Sequence, residues 1–293
     1  METILSSKTK TVVIGSDRPF VVIGERINPT GRKKLAAELA AGDFSRVRAD
    51  ALAQVEAGAQ VLDVNAGVPG ADESAIMRQS VQVVMETVDV PLCFDSANPA
   101  ALEAALSVYS GKALINSTTG EDSALSRVLP LAKKYGAAVI ALCNDERGPV
   151  QDSRVRLEVA RKIIARAADY GVSLADLVFD PLVLTVGADS SAGKVTLETI
   201  RLLCQELGVN VSAGASNVSF GLPDRPALNA AFISMAMAMG LTAAITNPLE
   251  PAVHASILAA DLLLGHDAYG ARWIKDFRKR EKAARSLNSR TEG

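Results

Sequence analysis

The sequence predicts an α/β fold, a (β/α)8 TIM barrel with an N-terminal β-hairpin and a C-terminal helix. Short apolar, β-branched runs recur along the chain, and each is followed by a longer stretch with helical spacing. The composition agrees. Of 293 residues 48% are hydrophobic, only 4% are aromatic, and Ala, Val, Leu and Ile carry the apolar content, as in a parallel sheet wrapped by helices. No linker, repeat or low-complexity tract interrupts the pattern, so residues 1–293 are expected to form a single barrel domain. An open doubly wound sheet is the competing arrangement, but no GxGxxG turn follows any of the runs.

In order along the chain, Thr11–Ile14 and Pro19–Val22 flank Gly15-Ser16-Asp17-Arg18 and read as a hairpin that plugs one end of the barrel. Eight barrel strands follow: Val21–Asn28, Val61–Ala66, Pro91–Ser96, Ala113–Ser117, Ala137–Asn144, Leu177–Leu182, Val209–Ser216 and Ala243–Asn247. Helical spacing covers residues 43–58, 73–88, 98–108, 121–135, 151–170, 195–207, 226–240 and 251–265, and a charged helix runs from Lys275 to Arg285 before a polar tail.

Composition also narrows function. A formal charge of −2 offers no basic surplus for a phosphate backbone, and one Trp and four Tyr make poor stacking platforms, so no nucleic-acid partner is expected. Three cysteines, Cys93, Cys143 and Cys204, and two histidines, His254 and His266, form neither a disulfide framework nor a metal-ligand pattern. The first ten residues lack the apolar core of a signal peptide, and no apolar run approaches the roughly 18 residues of a membrane span. A cytoplasmic protein with no membrane partner and no metal of its own is expected.

In a barrel of this kind the working face lies at the C-terminal ends of the strands. Those ends read Glu25-Arg26-Ile27-Asn28, Asp63-Val64-Asn65, Asp95-Ser96, Asn116-Ser117-Thr118, Asn144-Asp145, Asp180-Pro181, Ser216-Asn217-Val218-Ser219 and Thr246-Asn247. Nearly every strand delivers an amide, a carboxylate or a hydroxyl to one rim. The ring has no His and no strand-end Lys, since Lys112 precedes its strand; Schiff-base and zinc hydrolase chemistry are therefore disfavoured. Carboxylates accept from a ring N–H and an exocyclic amine together, and amides both donate and accept, which suits the edge of a pteridine or a purine.

Gly24-Glu25-Arg26-Ile27-Asn28-Pro29-Thr30-Gly31-Arg32 closely resembles the first-strand motif of corrinoid-dependent methyltetrahydrofolate methyltransferases. So do Leu62-Asp63-Val64-Asn65, Asp95-Ser96, Ile115-Asn116-Ser117-Thr118, Asp180-Pro181-Leu182 and Ser216-Asn217-Val218-Ser219. The Phe220–Pro223 loop and Arg225 resemble the folate domain of cobalamin-dependent methionine synthase. The resemblance runs in order over residues 19–266 and places the chain among pterin-binding barrels related to dihydropteroate synthase. It implies that Asp95, Asn116 and Asp180 hold a pterin, and that Asn217 is catalytic, hydrogen-bonding near N5 of tetrahydrofolate or 5-methyltetrahydrofolate. Glu25, Asn28, Asp63, Ser219 and Arg225 are further substrate contacts. It implies a corrinoid (cobalamin) carried by a separate partner protein, because neither histidine sits in the Asp-x-His-x-x-Gly signature of a carrier domain, and it implies a homodimer. In dihydropteroate synthases the comparable strand-7 position is Lys; here it is Asn217, which favours methyl transfer over pterin condensation. A dihydropteroate synthase-like condensing enzyme and a non-catalytic folate-binding subunit are the alternatives.

Structural roles compete for several of these residues. Asp63, Asn65 and Asp180 also suit turns. Glu25 and Arg26 are adjacent on a strand and so face opposite ways, which assigns Arg26 to a helix contact. Cys93 and Cys143 read as buried small hydrophobes, and Met235, Met237 and Met239 as core and dimer contacts. The basic residues of 278–282, and Arg154, Arg156, Arg161 and Arg166, read as solvated faces.

Overall fold

A computed structural model describes the chain over residues 1–291, with side chains through Lys282. Eight parallel strands close into a barrel in the order β10, β3, β4, β5, β6, β7, β8, β9: β3 (Val21–Ile27), β4 (Val61–Asn65), β5 (Leu92–Asp95), β6 (Leu114–Thr119), β7 (Ala138–Leu142), β8 (Leu177–Asp180), β9 (Asn210–Gly214) and β10 (Ala243–Thr246). The outer helices are α1 (Lys33–Ala40), α2 (Ser45–Glu56), α3 (Glu73–Thr87), α4 (Pro99–Leu106), α5 (Asp122–Tyr135), α6 (Ser153–Asp169), α7 (Ala192–Leu202), α8 (Arg225–Ala238) and α9 (Pro251–Leu263). The barrel class and the eight strands expected from the sequence are present. Helix α1 was not anticipated; its eight residues bury only Leu35 and Leu39, one turn apart, against the barrel.

The strands read as continuous apolar runs because both of their faces are covered. Val21, Ile23, Val61, Cys93, Leu114, Ala138, Ile140, Val178 and Ala243 point inward and fill the barrel. The alternate residues, among them Leu62, Val64, Phe94, Ile115, Val139, Phe179 and Val211, pack outward against the helices. The two-residue period then places Glu25, Asp63, Asp95, Asn116 and Asp180 at the inward positions closest to the strands' C-terminal ends. The barrel is therefore mostly apolar below its polar mouth, with Asn210 and Ser212 of β9 as buried polar exceptions; Asn210 Nδ2 donates to Thr3 Oγ1 at 3.0 Å and to Ile14 O at 2.9 Å.

The hairpin exists and includes Thr11–Ile14, but the partner of that strand is Glu2–Ser6, which precedes it, and not Pro19–Val22. β1 (Glu2–Ser6) pairs antiparallel with β2 (Thr11–Gly15), turning through residues 7–10, where Ser7 N–H donates to Lys10 O at 2.9 Å. Pro19–Val22 does not take part, because Val21 and Val22 are needed to pair with Ala243 and Ala244 and so close the barrel. Thr3 and Leu5 of β1 are buried while Glu2 and Ile4 face out. Leu5 and Ile14 enter the barrel's own core cluster and form its floor. Gly111 makes room for this plug: a Cβ on it would lie 2.2 Å from Ser6 O.

The C-terminal helix α10 (Ala271–Thr291) begins earlier and runs further than the expected 275–285. The basic residues of 278–282 are exposed as read, although Lys279 Nζ also donates to Glu56 O at 3.0 Å. Cys93 and Cys143 are buried. Met237 is buried, whereas Met235 and Met239 are exposed. Among the described residues no helix is long and apolar enough to cross a membrane.

Candidate active site

A cleft of about 500 Å³ opens at the C-terminal mouth of the barrel. Glu25, Asn28, Asp63, Asp95, Asn116, Asp180, Asn217 and Arg225 all line it. Ser219 does not: it is fully buried behind the wall, donating from Oγ to Asn229 Oδ1 at 2.7 Å and accepting from Arg225 Nε at 3.1 Å. Its place in the structure is to orient Arg225, whose Nη2 also donates to Ser216 O at 2.7 Å and whose guanidinium stacks 5.6 Å from the Phe220 ring centre.

Side-chain amides organise the floor. Asn116 Nδ2 donates to Asp63 Oδ1 at 3.2 Å, and Asn65 Nδ2 donates to Asp95 Oδ2 at 2.9 Å. Asn65 also accepts the Gly67 N–H at 2.8 Å, so the turn role and a positioning role coexist in one side chain. Asp180 accepts the Leu182 N–H at 2.8 Å. Ser216 Oγ donates to Glu25 Oε1 at 2.9 Å, linking the β9 loop to β3 across β10. Asn28 keeps Oδ1 in a turn with Thr30 N–H at 2.9 Å. Asn217 is exposed at the lip, and its amide lies over Gly214, where an added Cβ would come within 3.0 Å of Nδ2.

The four carboxylates share an electrostatic character. Burial pushes Asp63 well above the usual carboxylate range, and the charge of Asp95 pushes it further. Burial also raises Asp95, opposed by the hydrogen bond from Asn65, and raises Glu25, opposed by that from Ser216. Asp180 is pushed up to about 6 by burial, against its backbone hydrogen bonds from Leu182 and Gly214. No Lys or Arg forms an ion pair with any of the four among the described residues. They are dewetted acceptors whose charge is best satisfied by a ligand edge rich in N–H donors.

Two arginines depart from expectation. Arg26 lines the cleft beside Glu25 instead of facing a helix. The β3–β4 register shifts between Gly24 and Ile27, and this bulge overrides simple alternation. The signal in the sequence is Gly24, a glycine inside a strand. A Cβ there would lie 2.5 Å from Gln54 Oε1, the atom that accepts the Arg26 N–H at 2.8 Å. Arg156, read as part of a solvated helix face, is only 1% exposed. It donates to Val150 O at 3.0 Å and to both Pro181 O and Leu182 O at 2.9 Å, holding the loop that follows Asp180. Its neighbours Arg154, Arg161 and Arg166 do sit in surface ion pairs, with Glu206, Glu206 and Asp122.

The family described as pterin binding enzyme matches residues 24–247. Methylcorrinoid:tetrahydrofolate methyltransferase of Eubacterium limosum is 28% identical over 268 residues, covering 89% of this chain and 97% of that protein. Methionine synthase of Mycobacterium tuberculosis is 31% identical over 259 residues, 84% of this chain, but the chain spans only 22% of that longer protein. Among solved structures, dihydropteroate synthase of Xanthomonas albilineans with 4-aminobenzoic acid superposes with a TM-score of 0.66 at 19% identity, over 89% of this chain and 98% of that one. At that identity it speaks for the fold alone. The matched span starts in β3 and ends just after β10, so it takes in every strand end that builds the cleft, and the chain belongs to the pterin-binding enzymes.

Proposed function

We propose that this protein transfers a methyl group between N5 of tetrahydrofolate and the cobalt of a corrinoid carried by a separate protein. The observation that carries the reading is the floor of dewetted, amide-oriented carboxylates with Asn217 at its lip. Asp63, Asp95, Asn116 and Asp180 present acceptors, with the Asn116 amide between them, to a 2-amino-4-oxopyrimidine edge, which offers several adjacent N–H donors. A ligand without that edge leaves buried groups unpaired and is rejected. The likeness to a methylcorrinoid:tetrahydrofolate methyltransferase over nearly its whole length supports the same chemistry.

N5 gains or loses positive charge as the methyl group moves, and Asn217 serves both states by rotating its amide to present oxygen or nitrogen. The corrinoid, when its carrier docks, supplies the cobalt that takes or gives the methyl group. The exposed lip at Asn217 and Phe220 leaves room for a flat macrocycle to approach, and this chain's residues orient the pterin beneath it. The chain is read as cytoplasmic and as a homodimer, joined through the apolar groove between α7 and α8.

Asn217→Ala tests the reading. Methyl exchange, followed by the corrinoid spectrum with methylcobalamin and tetrahydrofolate or with methyltetrahydrofolate and reduced cobalamin, is expected to fall about 10²–10³-fold in kcat, the scale of one lost preorganised donor. Tetrahydrofolate affinity is expected to change little. Equal losses in both would reduce Asn217 to a binding contact. Turnover of 7,8-dihydropterin pyrophosphate with p-aminobenzoate by the wild-type protein would sink methyl transfer in favour of condensation.

A further inference from the structure

Arg26 is built into the mouth of the cleft, and among the described residues its side chain has neither a hydrogen-bond nor an ion-pair partner. Its backbone is clamped on both sides by side chains: the N–H donates to Gln54 Oε1 at 2.8 Å, and the carbonyl accepts from Arg32 Nη1. Arg32 is itself paired with Asp50 at 2.7 Å. Arg225, on the opposite wall, is engaged by Ser216 O and Ser219 Oγ. Among the described residues the Arg26 side chain makes no hydrogen bond or ion pair, so of the three arginines lining the cleft it alone has its guanidinium free. Glu25, next to it, feels the Arg26 charge but takes its hydrogen bond from Ser216.

We propose that Arg26 is the specificity-determining contact for the carboxylate-bearing p-aminobenzoyl-glutamate tail of the folate, an inference that rests on reading the cleft as a folate site. The geometry follows the ligand's covalent chemistry. The tail leaves the pterin at C6, the ring atom bonded to N5, so it must depart on the side of Asn217. The Ser216–Glu25 hydrogen bond brings the β9 loop against the end of β3, and the residue after Glu25 is Arg26. The floor is made of carboxylates and amides, suited to the uncharged pterin; the tail carries the only carboxylates of the ligand. A guanidinium on a clamped backbone, on a residue that is itself partly exposed, keeps its hydration in the free enzyme and exchanges it for a planar carboxylate on binding.

The test measures dissociation constants of tetrahydrofolate, its triglutamate and the tail-less 6-methyltetrahydropterin for wild type, Arg26→Gln and Arg26→Lys. Arg26→Gln is expected to weaken tetrahydrofolate about tenfold, one charge-assisted contact, with the tail-less pterin unchanged. Arg26→Lys is expected to recover part of the loss, and added salt to weaken only the tailed ligands. Equal loss on tailed and tail-less ligands would overturn the proposal, since it would mean a disturbed pterin seat. So would unchanged folate affinity with methyl exchange slowed only when a corrinoid protein replaces free methylcobalamin, which would assign Arg26 to the partner. A wild-type protein that binds none of the three would overturn the folate reading itself; one that binds all three, with Arg26→Gln indistinguishable from it, would overturn the role of Arg26 alone.

Discussion

Asp180 shows how a carboxylate lining the cleft is held at a cost to the stability of the folded chain. Its folded pKa of about 6 lies above the ordinary value of 3.8, so the folded chain holds this proton more tightly than the unfolded one. The sign is fixed by linkage: stability falls as pH rises from about 3.8 to about 6, and the deficit, about 3 kcal/mol for that shift, persists above it. Asp180→Asn keeps an acceptor for the Leu182 N–H and removes the ionisation. The variant is expected to gain stability over wild type as pH climbs through that window, read from urea midpoints at pH 4.5 and 7.5. Its affinity for tetrahydrofolate at pH 7.5 is expected to drop roughly ten- to a hundredfold, the loss of a hydrogen bond to a charged group. Wild-type affinity should fall on acidification through pH 6 as Asp180 gains its proton; in the variant only the part belonging to Asp63 and Asp95 should remain. A variant that is less stable at both pH values and binds as tightly as wild type would remove Asp180 from the site. At this scale much of the lining of the candidate site is legible in the sequence. Asp63, Asp95, Asn116 and Asp180 stand on strand parity at the end of a run, and parity survives folding where the register is regular. Arg26 was misassigned because a bulge is a property of two paired strands. Asn65 and Ser219 act through a neighbour, Asp95 and Arg225, and a spacing rule cannot name a neighbour from another strand or helix.

Among the elements, α6 and the hairpin work from outside the cleft. Arg156 on α6 donates to Val150 O, Pro181 O and Leu182 O, and it pins a loop in which Leu182 adopts a φ of +65°. Such a backbone persists only where its surroundings over-determine it. Arg156→Met is expected to leave these buried carbonyls unsatisfied and to cost about 3 kcal/mol or more, seen as a lowered urea midpoint. Folate affinity should fall with it, because Asp180 begins that loop; loss of stability with unchanged binding would confine Arg156 to the scaffold. The hairpin fills the opposite end. Leu5→Ala opens a cavity under a fully buried side chain and is expected to cost 2–5 kcal/mol, with kcat unchanged at a temperature where the variant is folded. Long amphipathic helices and the barrel strands were legible because their patterns repeat over many residues. β1 was not: its five residues bury just Thr3 and Leu5, and their value appears only when the barrel offers a floor to cover. Arg156 was hidden for a related reason, as helical spacing marks a face and cannot tell a solvated arginine from one reaching for loop carbonyls.

At the scale of the whole molecule, the mouth of the barrel is polar and one flank is not. Between α7 and α8 lies a groove of about 620 Å³ lined by Val186, Leu197, Val218, Leu228, Phe232, Met235 and Met239, with Lys194, Glu198 and Arg201 also along it. Met235 is 53% exposed and Leu228 39%, so a contiguous apolar surface meets solvent in the isolated chain. Such a surface with charges beside it has the anatomy of an interface core and its polar rim. Met is well suited to it, since an unbranched thioether adapts to an irregular partner. In the homodimer proposed above this groove would lie at the centre, and a twofold axis through it would place Met235 near its own copy, so that a single substitution acts twice. Met235→Lys is expected to shift sedimentation from dimer to monomer at micromolar concentration, through two buried like charges facing each other. The cleft is built from strand ends of one chain, so tetrahydrofolate affinity of the monomeric variant should stay close to wild type. Val218 lines the groove while Asn217, Ser216 and Phe220 line the cleft, so the β9 loop connects the two, as the β8 loop does with Val186 in the groove and Leu182 and Val183 in the cleft. Dissociation should therefore be felt first in kcat through Asn217 rather than in binding. A Met235→Lys protein that sediments as wild type would move the interface elsewhere, and one that dissociates with kcat unchanged would show the β9 loop to be rigid without its partner.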